Sequence, residues 1–80
     1  MPNQKTLKEI FKDLKKKQIK FNFFKKEEEC ILIIERGRKK IVFFIPKNLI
    51  KHPIFFLDFR RPFILYTLRK FSKKIKKKII

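Results

Sequence analysis

The chain has 80 residues, with 24 Lys and Arg against 7 Asp and Glu and a formal net charge of +17. A domain of this length buries only about 60% of its unfolded-chain surface, so we expect one small domain with a marginal core. The uncharged stretches are far shorter than the ~20 apolar residues of a membrane-spanning helix, so we expect no transmembrane segment. No apolar segment near Met1 indicates a secretory signal, and the single cysteine, Cys30, excludes an intrachain disulfide.

The first predicted element is a helix over Thr6–Lys17. Apolar side chains recur at helical spacing at Leu7, Ile10, Phe11 and Leu14. Thr6 and Glu9 have the spacing of a capping box, in which each side chain satisfies the other residue's free backbone N–H.

Three strands are predicted after the helix. The first follows from the alternation of Ile19, Phe21 and Phe23 with polar residues. The other two, Cys30–Ile34 and Ile41–Ile45, form a hairpin that turns at Gly37, the only glycine. Both hairpin strands are apolar at successive positions, which is typical of strands covered on both faces. Helices from either end of the chain are candidates to cover one of these faces.

The remaining elements are a helical turn over Lys47–His52, a β-prone segment over Ile54–Phe59 and a C-terminal helix. The stripe that predicts this last helix is Ile64, Leu68, Phe71, Ile75 and Ile79. The predicted fold is therefore α+β, with an N-terminal helix, a three-stranded antiparallel sheet around a central hairpin and a basic C-terminal helix. We expect residues 1–59 to form the core and residues 60–80 a basic helix or extension.

Two groups of cations are the candidate RNA-binding residues. No acid follows Asp58, so the C-terminal cations have no local counter-charge, and phosphate is the natural partner for them. The first group, at the hairpin tip, is Arg36, Arg38, Lys39 and Lys40. The second group is Arg60, Arg61, Arg69, Lys70, Lys73, Lys74, Lys76, Lys77 and Lys78. Each group has a simpler interpretation as a solvated charged surface.

Nine of the 11 phenylalanines fall into two predicted sets. Periodic spacing assigns Phe11, Phe21, Phe23, Phe43 and Phe71 to the core. We expect some of Phe55, Phe56, Phe59 and Phe63 to dock on a neighbouring protein or in an RNA crevice, because so small a domain has little room for them.

Residues suited to catalysis or cofactor binding are sparse. His52 is the only histidine, and no Ser-His-acid or Cys-His arrangement follows from the spacing. The acidic run Glu27–Glu29 is more typical of a solvated turn than of a metal site. We therefore expect no enzymatic activity, no cofactor, no metal and no small-molecule substrate.

The composition indicates an AT-rich genome. Phe, Tyr, Met, Ile, Asn and Lys, which have AT-rich codons, make up 48 of the 80 residues. Lys and Asn share AA-starting codons, yet there are 19 Lys and 3 Asn. The excess of Lys therefore indicates selection for positive charge.

In size, charge and layout the whole chain resembles small mitochondrial ribosomal proteins. The resemblance implies a structural RNA-binding function, with ribosomal RNA and neighbouring ribosomal proteins as partners. It implies a mitochondrial location, with a plastid or another AT-rich system as the alternative. Two other functions stay open. One is a peripheral subunit of an organellar membrane-protein complex, and the other is a DNA-binding or packaging protein.

Overall fold

The described residues of the computed structural model, 4–58, 64–67 and 69–80, form one α-helix and six strands. In chain order these are α1 (Leu7–Lys16), β1 (Phe21–Lys25), β2 (Glu29–Arg36), β3 (Lys39–Pro46), β4 (Phe55–Asp58), β5 (Ile64–Thr67) and β6 (Lys76–Ile79). Two short 3-10 turns lie at Lys47–Leu49 and Arg69–Phe71. The predicted turn after β3 and the β-prone segment before Phe59 are therefore present.

The N-terminal helix α1 is confirmed, together with its capping box. The Glu9 amide donates to the Thr6 hydroxyl at 3.4 Å, and the Thr6 amide donates to the Glu9 carboxylate at 3.1 Å. These bonds satisfy backbone donors that have no partner within the helix. The apolar stripe buries Leu7, Ile10 and Leu14, so helix formation and core burial favour the same conformation.

The predicted hairpin is confirmed and forms the centre of an antiparallel sheet with the strand order β1-β2-β3-β6. Gly37 has φ of +58° at the hairpin turn, a left-handed conformation that glycine adopts without a Cβ penalty. The register places Leu32 opposite Phe43 and Ile34 opposite Ile41. Because side chains alternate along a strand, these residues point to one side of the sheet.

That side, called here the inner face, comprises Leu32, Ile34, Ile41, Phe43 and Ile45, and it packs against α1. The fully buried side chains include members of the helix, the sheet and β4. Phe11, Phe21, Phe23 and Phe71 pack against this core, and Phe43 is part of it. The prediction that these five phenylalanines are core residues is confirmed.

Strands β4 and β5 form a separate two-stranded sheet, with Phe55 opposite Thr67. Lys5 and Phe55 exchange backbone hydrogen bonds of 2.6 and 3.1 Å, so the segment before α1 lies alongside β4. The Phe55 side chain is fully buried in the core. Phe55 is therefore not one of the phenylalanines that could dock on a partner, while Phe56 is half-buried. Phe59 and Phe63 lie outside the described residues.

The predicted C-terminal helix is wrong for the residues that the structure describes. Ile64 begins a strand, Phe71 ends a 3-10 turn, and Ile79 ends β6, which pairs with β3. Phe71 and Ile75 still pack against the core. The spacing reflects burial for Phe71 and Ile75, whereas Ile79 is 58% exposed. Pairing with the free edge of β3 determines the backbone conformation of Lys76–Ile79. The predicted three strands are likewise too few, because β6 adds a fourth strand to the main sheet.

The sequence predicts that both faces of the hairpin are covered, and one of them is more open than that. The side opposite α1, called here the outer face, comprises Phe24, Ile31, Ile33, Val42 and Phe44. Phe24 is 50% exposed, and Ile31, Ile33 and Phe44 are partly exposed. Helix α1 covers the inner face, as expected for a helix from one end of the chain, whereas the described residues cover the outer face only in part. The proposed boundary between residues 59 and 60 lies outside the described residues.

Candidate nucleic-acid interface

The structure brings members of the two predicted groups of cations onto adjacent strands. The hairpin-tip group lies at the end of β2, the turn and the start of β3, and three lysines of the C-terminal group form most of β6. The Lys40 amide donates to the Ile80 carbonyl at 3.1 Å, and the Ile80 amide donates to the Lys40 carbonyl at 2.8 Å. Ile80 therefore lies beside the hairpin tip, although Lys40 and Ile80 are half of the sequence apart.

The three lysines of β6 divide between the two faces of the sheet. Lys76 lies opposite Phe44 and Lys78 opposite Val42, so both belong to the outer face. Lys77 lies opposite Phe43 on the inner face, with its ammonium nitrogen 5.9 Å from the centre of the Phe43 ring. All three side chains are exposed. A strand rich in lysine at the sheet edge also disfavours pairing with another edge strand.

The cations before β6 surround one aromatic ring. The ammonium nitrogens of Lys70 and Lys74 lie 5.0 and 5.8 Å from the centre of the Phe71 ring, within cation–π range. Phe71 is half-buried and packs on the core, so it holds these charges at the surface. Lys73 is exposed in the same turn.

The remaining candidate cations lie at the hairpin tip, at the start of the 3-10 turn before β6, and outside the described residues. Arg38 and Lys39 are exposed at the hairpin tip, and Lys40 is exposed on the outer face. Arg36 and Arg69 lie within described elements, the end of β2 and the start of a 3-10 turn. Arg60 and Arg61 lie outside the described residues.

Carboxylates neutralise part of the basic surface. The Lys5 ammonium lies 2.6 Å from the Asp13 carboxylate, and the Lys40 ammonium lies 3.9 Å from that of Glu35. In the part of the chain that the structure describes, Lys76, Lys77 and Lys78 form no ion pair with a carboxylate. The β6 lysines are therefore available to an external anion.

The outer face contains aromatic residues that sequence analysis left unassigned. One row across the sheet reads Phe24, Ile31, Phe44 and Lys76 on β1, β2, β3 and β6. The next row is Asn22, Ile33, Val42 and Lys78. The signal for Phe44 was the unbroken apolar run of β3. The position of Lys76 in this row could not be found without knowing that β6 joins the sheet.

A shallow depression of about 300 Å³ opens beside this row, lined by Glu29, Phe44, Lys74 and Lys76. It combines an aromatic ring with two ammonium groups and one carboxylate. A second depression, of about 620 Å³, lies at the turn between β1 and β2 and is lined by Lys26, Glu27, Glu28, Glu29 and Pro46. Its acidic lining makes it the less suitable of the two for an anion.

Among the described residues, two titratable groups have shifted pKa values. The pKa of Glu9 is lowered by the hydrogen bonds that its carboxylate accepts from the backbone and side chain of Thr6, the largest cause being the backbone bond. Burial raises the pKa of the Cys30 thiol, which keeps this group protonated and poorly nucleophilic. Neither group belongs to the basic surface.

Among the described residues, no three His, Cys, Asp or Glu side chains are grouped so as to hold a metal ion. The same residues contain no helix with the length and apolar character required to cross a membrane. Comparison of the chain with protein-family models, with curated proteins and with solved structures gives no match.

Proposed function

We propose that the protein is a structural RNA-binding protein, and most specifically a small mitochondrial ribosomal protein that neutralises and orders rRNA. The observation that carries this proposal is that Lys39 and Lys40 of the hairpin tip lie on β3 and that Lys76–Lys78 lie on the adjacent strand β6. With 24 cations against 7 acids, the chain cannot neutralise itself, and a polyanion supplies the missing charge.

The fold supports this function by holding cations at defined positions. The core of α1, the sheet and β4 is apolar, and no charged side chain among the described residues is buried in it. Surface lysines can therefore contact phosphates without first breaking a buried ion pair. Arg38 at the turn can make two parallel hydrogen bonds to one phosphate. The remaining exposed surface is free to contact neighbouring ribosomal proteins.

Salt dependence of RNA binding tests the proposal. The purified protein is titrated with a fluorescent rRNA-derived hairpin at several KCl concentrations. We expect the logarithm of the affinity to fall linearly with the logarithm of the salt concentration, with a slope of about −0.7 to −0.9 per phosphate contacted. If the protein binds neutral vesicles and nuclease does not change this binding, an RNA-binding function is contradicted. A clear preference for duplex DNA over rRNA would contradict it as well.

The ribosomal assignment has its own test. Native extracts are separated on sucrose gradients in low and high salt, and the protein is followed by antibody. We expect it to travel with one ribosomal subunit at low salt and to be released at high salt. If ribonuclease treatment does not change the position of the protein in the gradient, a ribosomal location is excluded.

A further inference from the structure

The outer face of the sheet is an aromatic and aliphatic surface with cations along one edge. Phe24 on β1 and Phe44 on β3 lie two strands apart in the same row, which corresponds to about 10 Å at the usual strand spacing. Ile31 lies between them on β2. The next row contributes Ile33 and Val42. Aromatic rings at this spacing offer two separate stacking positions on one continuous apolar surface.

The outer face is distinct from the core. Val42 is only 7% exposed, yet it does not belong to the cluster formed with α1. Ile31, Ile33 and Phe44 are partly buried but are likewise not packed against that cluster, unlike Phe21 and Phe23 of the inner face. The two sides of the sheet therefore bury separate apolar groups. The one helix among the described residues covers only the inner group.

The cations lie at the end of each aromatic or aliphatic row. Lys76 follows Phe44 across the strands, and Lys78 follows Val42. Directly opposed residues in an antiparallel pair have Cβ atoms about 5 Å apart, so each ammonium group is within reach of the edge of the apolar surface. Lys74 joins Lys76 and Phe44 around the 300 Å³ depression. This places phosphate-binding groups beside stacking groups.

We propose that the outer face binds an unpaired RNA segment, with bases stacking on Phe24 and Phe44 and phosphates contacting Lys76 and Lys78. This inference rests on the proposed RNA-binding function and names the surface and the form of RNA. Unpaired bases can stack on aromatic side chains, whereas the bases of a duplex are already stacked on each other. A second copy of this chain carries the same net charge of +17, so it would not supply a counter-charge for Lys76 and Lys78.

A tryptophan reporter tests the contact directly. The chain contains no Trp, so Phe24→Trp introduces a single tryptophan at a half-exposed position. We expect a 12-nucleotide oligo(U) to quench this fluorescence as the base stacks. Phe11→Trp, on the helix side of the sheet, serves as the matched control and should change little. Equal responses of the two reporters would overturn the stacking contact.

Affinity measurements on substituted proteins provide the second test. Phe24→Leu combined with Phe44→Leu keeps apolar side chains but removes both rings, and we expect affinity for oligo(U) to fall by about tenfold or more. The control Phe11→Leu removes one ring from the opposite side of the sheet and should change the affinity by less than about twofold. Circular dichroism and thermal unfolding confirm that each variant is folded.

A charge-matched pair isolates the role of the lysines. Lys76→Gln with Lys78→Gln removes two charges from the outer face, and Lys8→Gln with Lys12→Gln removes two exposed charges from α1. If each outer-face lysine contacts one phosphate, the first pair lowers the magnitude of the salt slope by about 1.4 for a single strand. The second pair should leave the slope nearly unchanged.

The outcomes separate this inference from the proposed function. If the wild-type protein binds RNA while the outer-face variants behave like their controls, RNA binding stands and the outer face is not its site. Equal or tighter binding of an RNA duplex would also overturn the inference. If the wild-type protein binds neither oligo(U) nor the rRNA hairpin, both proposals fail. Quenching of the Phe24→Trp reporter by vesicles or by self-association, with no response to RNA, would assign the surface to that other partner.

Discussion

Lys40 and Ile80 exchange both of their backbone hydrogen bonds, with N–O distances of 3.1 and 2.8 Å, and so join the last residue of the chain to the start of β3. In an antiparallel ladder, pairs that exchange hydrogen bonds alternate with pairs that do not. Lys78 and Val42 therefore form a hydrogen-bonded pair, while Lys77 and Phe43 do not. The amide of Lys77 points away from β3, toward the free edge of the sheet.

This alternation predicts that proline will disrupt β6 at one position and be tolerated at the adjacent one. Lys78→Pro removes an amide that β3 requires, and we expect it to release β6 and lower the free energy of unfolding by about 1 kcal/mol or more. Lys77→Pro removes the same charge but an amide that faces outward, so β6 should stay paired. Hydrogen exchange at the Lys40 amide measures the difference. Equal exchange rates in the two variants would contradict the register of β6.

The buried and exposed phenylalanines predict a second contrast. Phe55 is fully buried, whereas Phe24 is 50% exposed. Replacing a buried Phe with Ala costs about 3–5 kcal/mol, a large fraction of the stability of a small domain, so we expect Phe55→Ala to be largely unfolded. Phe24→Ala should cost less than about 1 kcal/mol. Urea unfolding followed by circular dichroism tests both, and comparable losses would contradict the assignment of Phe24 to an open surface.

The capping box predicts a pH dependence. Bonds from Thr6 lower the pKa of Glu9 in the folded state below its ordinary value of 4.5. The resulting contribution to stability is present above that unfolded-state value and is lost as the pH falls through the folded-state pKa. Glu9→Gln keeps an acceptor oxygen but does not titrate.

Urea midpoints of the wild type and Glu9→Gln at pH 7 and pH 3 measure this effect. We expect the advantage of the wild type to shrink toward pH 3, and the difference between the two proteins isolates Glu9 from the other carboxylates. An advantage that stays constant with pH would show that the capping bond does not depend on the charge of Glu9.

The thiol of Cys30 predicts a reactivity difference between folded and unfolded protein. Cys30 is fully buried on β2, and burial raises its pKa, so both access and the thiolate fraction are low. We expect Ellman's reagent to label native protein only at the rate of unfolding and to label guanidinium-unfolded protein rapidly. Rapid labelling of the native protein, at the rate of a free model thiol, would contradict the burial of β2.

Sequence reasoning succeeded where structure depends on neighbours in the chain. The capping box of Thr6 and Glu9 and the helical stripe determine α1, because all their contacts lie within a few residues. Gly37 between two apolar runs determines the hairpin for the same reason. The large positive charge and its distribution along the chain are also properties of the sequence alone.

The tertiary structure decided the conformation of the C-terminal segment and hence the composition of the candidate interface. Its apolar spacing fits a helix, but β3 has an unpaired edge, and Lys76–Ile79 satisfies the backbone donors and acceptors of that edge. This pairing joins residues far apart in the chain, so local periodicity does not reveal it. It moves Lys76 and Lys78 from separate faces of a predicted helix to one face of the sheet. On this outer face, Lys76 lies beside Phe44 and Lys78 lies beside Val42.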